Sequence, residues 1–319
     1  MKTALIIGIN GQDGAYLSQL LLDKGYVVHG TSRDKELAFF SHLKSLRTFE
    51  KVELHSASIN DFRSILQIIK NVQPTEIYNL AAQSSVGLSF DQPVETIDSI
   101  LGGTLNILEA ARFLDYPMRM YFASSSECFG NTNVPADETT SFYPSSPYGV
   151  AKSAAHWLVA NYRAAYKLYA CSGILFNHES PFRPARFVTQ KVVRGAIDIA
   201  EGKASHLELG NLDVTRDWGW APEYVEAMWL MLQQDEPSDF VIATGQSNKL
   251  KDFVARAFQE VNLDWKQHVI VRQDLFRPSD LSFSAANPKR ANAALGWHAR
   301  THMNDVVRKL VEAEWLRRK

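Results

Sequence analysis

Ala4-Leu5-Ile6-Ile7-Gly8-Ile9-Asn10-Gly11-Gln12-Asp13-Gly14-Ala15-Tyr16-Leu17 is the stretch on which the fold turns. Its apolar start, Ala4 to Ile7, suits a strand covered on both faces of a parallel sheet. That run leads straight into glycines spaced GxxGxxG at Gly8, Gly11 and Gly14. Tyr16, Leu17, Leu20, Leu21 and Leu22 then recur at helical period until Gly25. Strand, glycine turn and helix make half of a βαβ unit. In such a unit the glycines let the backbone approach a pyrophosphate, and the helix N-terminus offers unpaired N–H groups and a positive dipole end. The turn residues Gly8, Asn10, Gly11, Gln12, Asp13 and Gly14 are therefore expected to hold a dinucleotide.

The pattern continues outward. Strands are expected at Tyr26–Gly30, Val52–His55, Glu76–Leu80, Arg119–Ala123 and Tyr169–Phe176, alternating with helices at Phe62–Lys70, Val94–Phe113 and around Tyr148. The fold class is α/β: a Rossmann-type doubly wound parallel sheet with a smaller C-terminal α/β substrate-binding domain. We divide the chain into 1–176 and 177–319, with segments of the second part returning to the first sheet. Leu80, Ala81, Ala82 and Ser84 sit at the carboxyl end of the fourth strand, where small residues let a cofactor pass close to the backbone. At the end of the second strand, Ser32 and Arg33 suit the 2′-phosphate of NADP, while Asp34 beside them keeps NAD as the alternative.

Lysine plus arginine (34) nearly balances aspartate plus glutamate (35) across 319 residues, so no basic field favours nucleic acid. The two cysteines, Cys128 and Cys171, lack metal-ligand spacing and form no disulfide framework; both are expected in buried strand ends. The apolar run that begins the chain is too short for a signal peptide, and no later one spans a bilayer. A cytoplasmic protein without membrane partners is expected.

The chemistry is expected between Ser124 and Lys152. Met120-Tyr121-Phe122-Ala123 reads as a strand ending in Ser124-Ser125-Ser126-Glu127, and Tyr148 and Lys152 follow at i and i+4 on one helical face. In that arrangement the ammonium favours the phenolate and lowers the tyrosine pKa, Ser125 can bond a substrate oxygen, and Glu127 adds a second proton-transfer group. Farther on, Asn177-His178-Glu179-Ser180-Pro181 follows the sixth strand. No second histidine lies at ligand spacing nearby, so no metal site is expected. Helices are expected at Phe187–Glu201, Pro222–Gln233 and Leu250–Val261, and strands at Leu207–Leu209 and Phe240–Ala243. Lys191, Arg216 and Arg277 together suit a nucleotide diphosphate.

The order of these parts resembles the extended short-chain dehydrogenase/reductase family, and within it the GDP-mannose 4,6-dehydratases. Gly11-Gln12-Asp13-Gly14 with Tyr16-Leu17, Asn79 to Ser84, Ser146-Pro147-Tyr148, Phe176 to Pro181 and Arg216 to Gly219 carry the resemblance. It implies Ser125 as the hydroxyl partner, Glu127 as acid/base, and Tyr148 with Lys152 as the redox base pair. By the same resemblance His178 and Arg183 touch NADP, while Asn177, Val188, Lys191, Arg216, Arg277 and Asp280 bind the GDP-sugar beside Ser84 and Ser85. The implied reaction is C4 oxidation, water elimination across C5 and C6, and hydride return to C6. The Tyr148 helix would pair with a second subunit in a homodimer or homotetramer.

Several positions depart from that pattern. Ser125 stands where threonine is usual, the segment after Arg33 is shortened, and Ser58, Ser85, Pro184 and Trp220 replace other residues. Departures around the sugar keep another GDP-sugar, such as a GDP-heptose, open as substrate. A GDP-4-keto-sugar reductase or epimerase, and a non-catalytic NADP-binding regulator, stand as the remaining alternatives.

Overall fold

The computed structural model describes all residues from Met1 to Lys319. Twelve strands form: β1 Thr3–Ile7, β2 Val27–Ser32, β3 Glu53–Ser56, β4 Glu76–Asn79, β5 Arg119–Ser125, β6 Tyr169–Leu175, β7 Asn177–Glu179, β8 Leu207–Leu209, β9 Thr215–Trp220, β10 Phe240–Ile242, β11 Ser247–Lys249 and β12 Val269–Val271. The main sheet has seven parallel strands in the order β10-β6-β5-β4-β1-β2-β3. Strand order reverses between β1 and β4. In an open parallel sheet that switch point leaves a crevice at the carboxyl ends of the strands.

Both faces of the sheet are covered, which is why its strands read as apolar runs. Ile6, Ala15, Leu17, Leu21, Tyr224 and Met228 pack one face under the helices Gln12–Asp23 and Ala221–Met231. Leu5, Ile7, Ile65, Ile69, Ile107, Leu108 and Val159 fill the other under Phe62–Val72, Gly103–Leu114 and Pro147–Tyr166. A third core joins Val188–Ala200, Leu250–Gln259 and Met303–Arg318 in the C-terminal part. Chain from that part also returns to the main sheet, because β10 pairs with β6. No helix is long and apolar enough to cross a membrane.

Some elements differ from expectation. Asn177–Glu179 is a strand, pairing in parallel with β9, which itself runs through Arg216–Gly219; β11 completes this small sheet. The expected helix at Val94–Phe113 is Pro93–Ile97 and Gly103–Leu114 joined through a π-helical turn at Asp98–Gly102. Both cysteines are buried and free, but Cys171 lies inside β6 and Cys128 in the turn after β5.

Candidate active site

The glycine turn follows β1 at the switch point. Gly8 has φ +92°, and a Cβ there would lie 2.8 Å from the backbone nitrogen of Ala81. At Gly14 a Cβ would lie 2.5 Å from the Gly8 carbonyl oxygen and 2.6 Å from the Ile9 Cα. Helix and strand can therefore approach this closely only without side chains at these positions. Gly11 caps the helix without a side-chain bond, which leaves first-turn N–H groups facing outward. A cradle of this shape and polarity fits a dinucleotide pyrophosphate. Asn10 turns its carbonyl towards His42 Nδ1 at 3.1 Å. Ser32 ends β2 beside the turn and Arg33 follows it, exposed.

His178 on β7 reaches back to this turn. Its Nδ1 donates to the Phe176 carbonyl at 2.7 Å and its Nε2 lies 3.0 Å from Asp13 Oδ2. Burial opposes the charge on both groups, yet their mutual attraction and bonding prevail. The Asp13 carboxyl is held below its ordinary value, and the His178 imidazolium is favoured, its pKa raised. Gln12 strengthens the seam, donating to the His178 carbonyl at 3.2 Å and accepting from Ser180 Oγ at 2.8 Å. Glu179, also buried, accepts from Thr189 Oγ1 at 2.6 Å and lies 3.5 Å from Arg183 Nε. The Arg183 guanidinium stacks on Phe187 at 3.9 Å.

Tyr148 and Lys152 open the helix Pro147–Tyr166, whose start is set by Pro147 and by Ser146 Oγ accepting from Gly149 N–H at 3.0 Å. Lys152 Nζ donates to the Ala123 carbonyl at 2.6 Å and lies 5.8 Å from the centre of the Tyr148 ring. Here the structure corrects the expected electrostatics. Burial drives the Tyr148 phenol above its ordinary value, although a bond from Ser125 pulls the other way. Burial also lowers the Lys152 ammonium to about 8. Helical spacing brings the two groups together, and burial is the largest influence on the titration of each.

Glu127 stands in a short turn directly after β5, its backbone N–H bonded to Ser125 Oγ at 3.2 Å. Burial raises its pKa, against the pull of Arg216 and Arg277. Arg216 is 7% exposed; it donates to the Leu281 carbonyl at 2.7 Å and to Asp280 Oδ1 at 2.9 Å. Arg277 reaches the same Asp280 oxygen at 3.3 Å. Two guanidiniums sharing one carboxylate leave positive charge uncompensated, and Lys191 adds to it along the same cleft.

That cleft, about 470 Å³, brings together most of the expected residues. Asp13, Leu80, Ala82, Ser84, Ser85, Ser125, Glu127, Tyr148 and Lys152 line it, together with Asn177, His178, Arg183, Val188, Lys191, Arg216, Arg277 and Asp280. Gly8, Asn10, Gly11, Gln12, Gly14, Ala81, Ser32 and Arg33 lie outside its lining, around the glycine turn and the end of β2. Sequence reasoning missed Arg186, Asn211 and Phe276, which also line the cleft. It missed Asp217 as well, whose carboxylate pins the loop after β10 by accepting from Thr244 and Gly245 N–H at 3.0 and 2.8 Å. An arginine three residues after Arg183 was the available signal for Arg186; Asn211 and Phe276 carry none.

Comparison with known proteins bears on this site. Residues 5–310 match the family model described as GDP-mannose 4,6 dehydratase. The chain is 43% identical over 323 residues to GDP-mannose 4,6 dehydratase 1 of Arabidopsis thaliana, covering 98% of this chain and 90% of that protein. It is equally 43% identical, over 342 residues, to the GDP-mannose 4,6-dehydratase of Sinorhizobium fredii (strain HH103), covering 98% and 96%. Among solved structures, the UDP-glucose 4-epimerase of Thermotoga maritima superposes with a TM-score of 0.89 at 20% identity, over 99% of this chain and 100% of that one. The last likeness shows the shared fold; the first three show that the chain belongs to the GDP-mannose 4,6-dehydratase family.

Proposed function

We propose that this enzyme converts GDP-mannose to GDP-4-keto-6-deoxymannose with NADP as its resident cofactor. One observation carries the reading: the half-buried Glu127 carboxyl shares a cleft with the Tyr148–Lys152 pair and Ser125, and desolvation there raises its pKa. A carboxyl placed beside the reacting carbons can take a proton and give one back. Simple epimerisation at C4 has no use for such a group.

The bound nicotinamide supplies a reversible hydride acceptor for the sugar. Ser125 holds the C4 oxygen, and Tyr148 takes its proton as C4 is oxidised. Lys152, fixed by the Ala123 carbonyl, orients the cofactor ribose and favours the transient phenolate. The resulting ketone acidifies the C5 hydrogen, which Glu127 removes. Glu127 then protonates the departing C6 hydroxyl and water leaves; return of the hydride to C6 and uptake of a solvent proton at C5 complete the product. Arg216, Arg277 and Lys191 hold the diphosphate, with Asp280 setting the arginines, while Asn177, Val188, Ser84 and Ser85 line the sugar end. His178 and Arg183 would hold the cofactor, and the Gly8–Gly14 turn would take its pyrophosphate. Ser32 and Arg33 receive the 2′-phosphate. On this reading residues 1–176 serve mainly the cofactor and 177–319 mainly the substrate.

Turnover in deuterium oxide tests the assignment of Glu127. Product carrying one deuterium at C5 is expected; product without it would overturn the proton route.

The face that carries Val150 and Trp157, seven residues apart on one helix and 49% and 61% exposed, suits pairing with a second copy. A homodimer formed through this helix is part of the proposal. Sedimentation as a monomer at working concentration would refute it.

A further inference from the structure

We propose that His29, Glu53 and His55 form a binding site for a divalent transition metal such as zinc, at the edge of the main sheet and away from the cleft. Parallel pairing places the three together. His29 on β2 is in register with Glu53 on β3, and Thr31 with His55. Side chains two apart on a strand share a face, so Glu53 and His55 project on the same side as His29. The rings stack at 5.2 Å, with His29 Nδ1 2.9 Å from His55 Nε2. Glu53 presents Oε2 to His29 Nδ1 at 3.6 Å and Oε1 to His55 Nε2 at 3.8 Å. This is the one place in the chain where three such donors converge.

The geometry fits a small tetrahedral ion. Zinc bonds of about 2.0–2.2 Å at tetrahedral angles separate donor atoms by about 3.3–3.6 Å, close to the distances between these groups. Two imidazoles and a carboxylate are a common donor set for zinc, with the fourth position open to water. The histidine side chains are 12% and 23% exposed, so the site is shielded yet reachable, and the exposed Glu53 lies at its mouth. Lys35 is the cation that bears on His55; its side chain is half exposed and free to swing outward. A metal here would clamp the short edge strand β3 to β2, three residues before Ser32.

Isothermal titration with zinc chloride on the full chain tests this, paired with the absorption spectrum of the cobalt(II) form. Expected are one metal per chain, intense visible cobalt bands, and a melting temperature raised by zinc. His29→Ala and His55→Gln should weaken binding by roughly 10–100-fold or more, because loss of even an outer partner of a metal ligand costs that much. Circular dichroism confirms that each variant is folded. The proposal is overturned by an absence of stoichiometric binding to the wild-type chain. It is equally overturned if folded variants bind as tightly as wild type, or if the cobalt spectrum is that of the aqueous ion.

Discussion

Asp13 and His178, 165 residues apart in sequence, meet at 3.0 Å and tie the glycine turn to β7. This bond joins the turn after β1 to the part of the chain that carries the polar groups of the cleft. It makes stability depend on pH in a defined way. Asp13 has its pKa lowered from 3.8, so its contribution is present above that value and lost as pH falls through the folded pKa. His178 has its pKa raised from 6.5, so its contribution is full below 6.5 and lost as pH rises through the folded value. His178→Gln should therefore lower the melting temperature most between about pH 4 and 6.5, with the difference from wild type shrinking at higher pH. A difference that failed to shrink as pH rises through the folded value of His178, measured by calorimetry, would refute the pairing.

The proton-transfer groups are expected to separate from the binding groups. Tyr148→Phe and Glu127→Gln should each lower kcat by roughly 10²–10⁴-fold while leaving cofactor affinity within a few-fold of wild type. Steady-state kinetics with a fluorescence titration of the cofactor checks both halves. Full activity in either variant would break the assigned mechanism.

Lys152 is held against its own solvation. Its pKa is depressed from 10.5 to about 8, so the unfolded chain binds the extra proton between those values and folding opposes it. That shift corresponds to a penalty on the order of 3 kcal/mol at neutral pH, offset in part by the charged bond to the Ala123 carbonyl, worth about 1.5–3 kcal/mol. Lys152→Met should raise the melting temperature at pH 7 and abolish turnover. A fall in melting temperature would show that the ammonium contributes more than its burial costs.

Arg33 stands exposed at the end of β2 with no acidic partner. Arg33→Glu should weaken NADP roughly 10–100-fold, the worth of a charge-assisted bond, and leave NAD less affected. Equal effects on both cofactors would move the 2′-phosphate site elsewhere.

Legibility in the sequence followed local rules. Gly8, Gly11 and Gly14 betray the turn because their spacing answers a backbone constraint, and β1, β5 and β6 are legible as apolar runs because both faces of the sheet are covered. β7, β9 and β11 escaped because Asn177, Glu179, Arg216, Asp217 and Asn248 break any apolar or alternating pattern. Asp217, for one, is satisfied by the distant Thr244 and Gly245. Arg216 and Arg277 stand out in the sequence only as positive charges. Their shared bond to Asp280 and their approach to Glu127 arise only when β9 and the loop after β12 come together. The spacing of Tyr148 and Lys152 gave their proximity, whereas their titration depends on a burial that no local pattern reveals. His29 and His55 are likewise unremarkable 26 residues apart, until parallel register aligns them.

The most direct test is mass spectrometry of GDP-mannose incubated with the purified chain, with and without added NADP⁺. The account predicts a product lighter by one water, with no net accumulation of NADPH, because the hydride taken at C4 returns at C6. An unchanged GDP-mannose peak in the presence of NADP⁺, or product formation that consumes cofactor stoichiometrically, would contradict it.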